Sequence, residues 1–230
     1  MREYKVTYSK RKTISIKINE DSSLEVKAPY YLSKKEINDF VNSKEEWIAK
    51  NTKEISEKYR LKRDFNLNFN DYVFVYGEKA SINPINGNTA SYDKKEKIFY
   101  IPEIANSKQI KEIIIELYKI IAKSHINQRI KFFSKQMNVK PAKIGITSAK
   151  TRWGSCSGKN SVNFSWKLIM ADESTIDYVL IHELAHIKQH NHSPKFWNIV
   201  ESIMPDYKEQ KEKLKILGEK LSKENWDLNN

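Results

Sequence analysis

Four of the five histidines lie between residues 182 and 192, and two of them bracket a glutamate in His182-Glu183-Leu184-Ala185-His186. On a helix, residues four apart share one face a turn apart, so both imidazoles can ligate one metal ion. Glu183 is rotated by about 100° around the axis from His182, which sets its carboxylate beside the ion rather than on it. Zinc in such a place lowers the pKa of a bound water to about 7. Glu183 can then take the proton and hand it to a leaving group. The chemistry open to these residues is metal-assisted hydrolysis.

A third ligand is required, and two histidines follow. His190 stands eight positions after His182. On a continued helix the two would be about 12 Å apart along the axis, too far for one ion with bonds of about 2 Å. His192 lies past the expected helix end, because Asn191 tolerates the left-handed conformation and Ser193-Pro194 resists helix continuation. The chain can turn back there and present His192. His190 is then solvated or adjacent to the ligands.

These residues need a scaffold. A chain of 230 residues can build one sizeable core or two small ones. With 39% hydrophobic and 30% charged residues, it reads as globular rather than disordered. No run approaches the roughly 20 apolar residues of a membrane span. The N-terminal Met1-Arg2-Glu3-Tyr4-Lys5 lacks the apolar core of a signal peptide. The one cysteine, Cys156, has no partner for an internal disulfide. A cytoplasmic chain is the expectation. The net charge of +12 is spread along the chain, as on a solvated lysine-rich surface. It admits nucleic acid or a nucleotide as a partner without requiring one.

Alternation in Thr13–Ile18 and again in Leu24–Ala28, across the polar Asn19–Ser22, predicts a hairpin. Ser33-Lys34-Lys35-Glu36 is a capping box, and Ser43-Lys44-Glu45-Glu46 repeats it, so two helices follow. Residues 72 to 101 return to strands. A long helix is predicted from Ser107 to about Val139. Strands are predicted over Ile144–Ser148 and Ser161–Ile169, with a Gly/Ser-rich turn, Trp153–Gly158, between them. Ser174-Thr175-Ile176-Asp177 is a weaker cap signal for the helix that carries Glu183 to about Gln189. The expected organisation is an N-terminal β-rich region with helices over 1–104 and a catalytic domain over 105–230.

The sequence resembles the YgjP-like family of zinc metallopeptidases. The resemblance is carried by His182–His186, by Asn191-His192-Ser193-Pro194-Lys195-Phe196-Trp197, and by Thr151-Arg152-Trp153-Gly154-Ser155-Cys156-Ser157. Ile176-Asp177-Tyr178-Val179, the N-terminal hairpin, Ala28-Pro29 and the Trp47 helix also fit. It implies an α+β, zincin-like catalytic domain with the metal-binding helix beside a small sheet. Carried over residue by residue, it implies Zn2+ held by His182, His186 and His192, with Glu183 as acid/base. In such folds a strand beside the cleft can pair with an extended substrate, which puts Asn163 near the site.

Arg152 can bind a carboxylate or phosphate, stabilise an oxyanion, or form a structural salt bridge. Arg152 and Asn163 are the candidate substrate contacts. Cys156 reads as a small buried residue rather than a nucleophile. Peptide hydrolysis leads. A metal-dependent hydrolase of a nucleotide phosphoanhydride would use the same site, and the basic charge suits phosphate. A nucleic-acid-binding module with structural zinc would close the fourth metal position with Cys156 or His190.

Overall fold

The computed structural model describes residues 3–228. They form two compact units. The first is built from residues up to Phe65 with Leu221–Asn225, the second from Asn66–Lys220 with the residues from Trp226 on.

The first unit holds strands β1 (Tyr4–Ser9), β2 (Ser15–Ile18) and β3 (Leu24–Pro29), then helices α1 (Lys34–Ser43) and α2 (Glu45–Asp64). The sheet order is β1-β3-β2, with β1 parallel and β2 antiparallel to β3. The β2–β3 pair is the expected hairpin. Alternation sends Leu24, Val26 and Ala28 into a core with Ile37, Val41 and Ile48. The Ser33–Glu36 capping box forms as read. The second box does not: the Ser43 hydroxyl donates back to the Phe40 carbonyl at 2.7 Å, and Lys44 caps α2 without a side-chain bond.

The second unit opens with β4 (Tyr72–Val75), β5 (Glu78–Ile85), β6 (Ser91–Asp93) and β7 (Ile98–Pro102), in the order β4-β5-β7-β6. Tyr76 and Gly77, at φ 53° and 78°, make the two-residue turn between β4 and β5. Helix α3 (Ser107–Gln136) follows. Its residues Ile110, Ile114, Tyr118, Ala122, Ile126 and Ile130 recur every fourth position and are all buried. The Tyr118 hydroxyl donates to the Phe74 carbonyl at 2.8 Å, and its ring meets Phe99 edge-on. The β4–β7 sheet therefore shares a core with α3. For that reason the unit begins near residue 66, and the expected boundary at 104/105 falls inside it.

Strands β8 (Lys143–Thr147), β9 (Gly154–Cys156) and β10 (Ser161–Ser165) form a second sheet, ordered β8-β10-β9. The stretch expected as a turn thus contains an edge strand. Strand β10 stops four residues before Ile169. Ser165 caps a 3-10 turn over Trp166–Met170, accepting from the Lys167 amide, and the Ile169 carbonyl accepts from the Tyr76 amide at 2.8 Å. Helices α4 (Glu173–Lys188), α5 (Pro194–Ile203) and α6 (Tyr207–Leu221) complete the fold. Among the described residues, no helix is long and apolar enough to cross a membrane.

Candidate metal centre

Helix α4 carries the glutamate and two of the histidines. Its cap is Asp172, two residues earlier than the sequence suggests. The Asp172 carboxylate accepts from the Thr175 amide at 2.9 Å and from the hydroxyls of Ser174 and Thr175. Residues 175–181 and 183–185 are all buried, so α4 is enclosed nearly all round, as a central helix should be. Arg129 on α3 makes a two-pronged ion pair with Asp177 on α4, its Nε at 2.8 Å from Oδ1. Packing and this pair fix the helix that presents the site.

The chain leaves α4 through Gln189, which is extended at φ −144°. Asn191 is not left-handed. Its side-chain oxygen instead accepts from the Ser193 amide at 3.2 Å and from the Gln189 side-chain amide at 2.7 Å. Pro194 at the start of α5 brings a preset φ and needs no amide partner. The break expected at Asn191 to Pro194 exists, built by an Asn side chain rather than by a positive φ.

This turn brings His192 to the two helix histidines. One ligand nitrogen from each of His182, His186 and His192 lies within 4.8 Å of the others. Nε2 of His192 stands 3.1 Å from Nε2 of His182. Two imidazole nitrogens at that distance need a proton or a cation between them. Nitrogens bound to one tetrahedral ion at about 2.0–2.1 Å lie about 3.4 Å apart, so the donor set fits a zinc-type ion. His186 Nδ1 is 3.2 Å from the Gln189 carbonyl. A carbonyl only accepts, so Nδ1 carries the proton and Nε2 keeps its lone pair for a metal. Burial pushes His182 down to about 3, aided by the charges of His186, His192 and Lys211. Burial also lowers His186, against its bond to Gln189. Both imidazoles are thereby held neutral, the state that ligates. Phe196 packs beneath all three, its ring 4.5–4.9 Å from theirs.

Glu183 is buried beside this cluster and is not one of the clustered ligands. Burial pushes its carboxyl up to about 7, with the Arg152 charge acting in the opposite sense. A Cβ built at Gly154 would stand 2.6 Å from Glu183 Cγ and 2.7 Å from Oε1. Strand β9 therefore presses its bare backbone on the glutamate. Arg152 is exposed, and its charge reaches Glu183. Among the described residues it forms no ion pair, so the structural salt bridge weighed for it is not made. Asn163 pairs with Ser155 across the sheet, while its neighbour Phe164 pairs with Gly154. Side chains alternate along a strand, so Asn163 points to the face opposite Glu183, where it lies across Gly145. Strand β10 is central in its sheet, and the free edge beside Glu183 belongs to β9.

Neither Cys156 nor His190 joins the histidine cluster among the described residues. Burial and the Glu183 charge raise the Cys156 thiol, which argues against a nucleophile. The sequence reading missed Gly154 as the contact that seats Glu183, and Phe196 as the floor of the cluster. The Gly-Ser composition around 154 signals a loop more strongly than a strand. Phe196 could have been found: it lies at the third position of a helix that starts two residues after His192.

The α+β fold buries a glutamate beside three convergent imidazoles. The model of the YgjP-like family, described as YgjP-like, metallopeptidase domain, matches residues 12–216, and the chain belongs to this family. Membership implies a metal ion and a peptide or protein substrate. Part of the chain is similar to two crystal structures. One is the metallopeptidase zymogen of Pyrococcus abyssi abylysin, 25% identical, covering 44% of this chain and 98% of that one at a TM-score of 0.38. The other is the metallopeptidase zymogen of Methanocaldococcus jannaschii jannalysin, 26% identical, covering 41% and 95% at a TM-score of 0.36. No curated protein matches the chain.

Proposed function

We propose that the chain is a zinc-dependent metallopeptidase in which His182, His186 and His192 hold the ion and Glu183 is the acid/base. The observation that carries this reading is the convergence of three ligand nitrogens beside a buried carboxyl that stays out of the ligand set. When bound, zinc supplies Lewis-acid polarisation and lowers the pKa of water. Glu183, poised near neutrality by burial, accepts a proton from the attacking water at its carboxylate. It then returns that proton to the amide nitrogen of the leaving peptide. Arg152, whose charge acts on Glu183 and which forms no ion pair among the described residues, orients a carboxylate or carbonyl oxygen of the substrate. A three-histidine set with neither Cys156 nor His190 in reach suits a catalytic site with an open position better than a closed structural one. The phosphoanhydride reading rests on the net charge and on Arg152, which suits a substrate carboxylate equally well. The single cysteine suits a reducing, cytoplasmic location.

Exchange of Glu183 tests the mechanism. Glu183→Gln keeps the shape and the histidines and removes the proton acceptor. Zinc content should stay at the wild-type level, while peptide hydrolysis falls by about 10²–10⁴-fold. Full activity in this variant would remove Glu183 from the mechanism. Assays of wild type on an unfolded protein and on nucleoside triphosphates, with Glu183→Gln as the blank, separate peptidase from phosphoanhydride hydrolase.

A further inference from the structure

Trp197 and Lys211 take no part in the proton transfers, yet Trp197 adjoins the histidines and Lys211 adjoins Trp197. The Trp197 ring centroid is 5.9 Å from that of His182 and 5.8 Å from that of His192. On α6, Tyr207 stacks on Trp197 at 5.3 Å with the planes 18° apart. The Lys211 ammonium stands 5.3 Å from the centre of the Trp197 ring. Tyr207 is buried, Trp197 half-buried and Lys211 exposed. A partly open aromatic surface thus runs from the histidines to a cation.

Among the described residues, that cation has no carboxylate of its own. The residues one turn away on α6 are Tyr207, Lys208, Leu214 and Lys215, and none of them can neutralise it. Nearby lysines are satisfied locally: Lys213 pairs with Glu209 at 2.9 Å and Lys215 with Glu212 at 3.1 Å. Among the described residues, Lys211 forms no ion pair. The charge of this ammonium reaches His182, and it would repel a dication held by the imidazoles. The placement becomes favourable once an anion enters between them.

We propose that Trp197 and Lys211 form a substrate subsite that selects a peptide with an Asp or Glu side chain close to the scissile bond. The aliphatic stem lies on the indole, and the carboxylate meets the Lys211 ammonium. An extended residue advances a chain by about 3.3–3.6 Å, so a side chain within two residues of the cleaved bond can cross the Trp197 ring. The subsite rests on the metallopeptidase reading.

The test uses zinc-loaded full-length protein and peptides that differ only in carrying Glu, Gln or Lys at each position within two residues of the cleaved bond. At one position, wild type should cleave the Glu peptide with kcat/KM about two- to fivefold above the Gln peptide, the range of an exposed ion pair. Lys211→Ala should abolish that preference, and Lys211→Glu should turn it toward the Lys peptide. Cleavage without discrimination, or a Glu preference that survives Lys211→Glu, overturns the subsite. Cleavage of none of the peptides counts against the metallopeptidase reading itself. The subsite is then decided by binding: tryptophan fluorescence of Glu183→Gln titrated with the same peptides, with Trp197→Phe assigning the signal. Tighter binding of the Glu peptide, lost in Lys211→Glu, supports it. Equal affinity for the Glu and Gln peptides overturns it.

Discussion

A methyl group at residue 154 would sit where the Glu183 side chain now lies, 2.6–2.9 Å from its Cγ, Oε1 and Cδ. Such an approach forces one side to move, and the softer side is the glutamate rather than the hydrogen-bonded strand. Gly154→Ala is therefore expected to displace the proposed acid/base without touching a metal ligand. A misplacement of about 1 Å can cost about 10²-fold in rate, and overpacking of this kind costs about 1–3 kcal/mol of stability. Zinc content should be retained while kcat falls by at least tenfold. A Gly154→Ala protein with wild-type kcat would show that strand β9 does not seat Glu183. At this scale the sequence displays its site unevenly. His182, Glu183 and His186 are legible because helical spacing alone places them. His192 needs the extra step of excluding His190 by distance. Gly154 is illegible, since its role is an empty volume that exists only once β9 and α4 have met. Asn163 lies on the expected strand, but the pairing with β9 and β8 on either side, invisible in one chain segment, turns it to the far face.

Helix α4 is held at its start by one carboxylate, and that carboxylate gives the element its pH dependence. Burial acts to raise the Asp172 carboxyl, but bonds from the Ser174 hydroxyl and from the Thr175 amide and hydroxyl outweigh it, leaving its pKa below the ordinary value. A folded-state pKa below the unfolded one, near 3.9 for Asp, means stability that is present above pH of about 4 and is lost as pH falls through the folded value. Asp172→Ala should cost about 1 kcal/mol at neutral pH, as loss of an N-cap does. The gap between wild type and variant in urea unfolding should shrink as the pH is taken below about 3.9. A gap that is constant with pH would mean that the cap does not act through its charge. The sequence offers Ser174 as the cap, and it does bond at this helix start, but as a donor to Asp172 alongside Thr175 rather than as the cap. Elements with strong periodicity, such as α3 and the β2–β3 hairpin, are legible because one face of each must meet a core. The 154–156 strand is too short and too rich in small residues to show a period. The 166–170 turn is apolar like a strand, and its backbone is diverted by bonds from the Lys167 amide to the Ser165 hydroxyl, from the Ala171 amide to the Leu168 carbonyl and from the Tyr76 amide to the Ile169 carbonyl.

For the molecule, the proposed site would add an ion to the links that already join α4 to α5, the Asn191 turn and the packing of Phe196 on the histidines. His182 and His186 lie on α4, and His192 lies in the turn before α5, so an ion bound by all three links the end of one helix to the start of the next. Anything that binds the folded state and not the unfolded one adds stability by mass action, about 2.7 kcal/mol when free ligand is 100 times its Kd. For a unit of roughly 150 residues or more, each kcal/mol moves Tm by about 2–4 °C. Removing zinc with a chelator is then expected to lower Tm by about 5–10 °C. Tryptophan fluorescence reports this transition well, because Trp153, Trp166, Trp197 and Trp226 belong to the second unit and Trp47 to the first. His192→Ala should lose most of its zinc and melt at nearly the same temperature with and without chelator. His190 is exposed and stands outside the cluster, so His190→Ala should keep both the zinc and the chelator-sensitive increment. The reverse pattern, zinc lost with His190 and kept without His192, would move the third ligand and with it the reading of the turn at Asn191. A Tm indifferent to chelation in zinc-loaded wild type would mean that the three imidazoles do not bind the ion as one set.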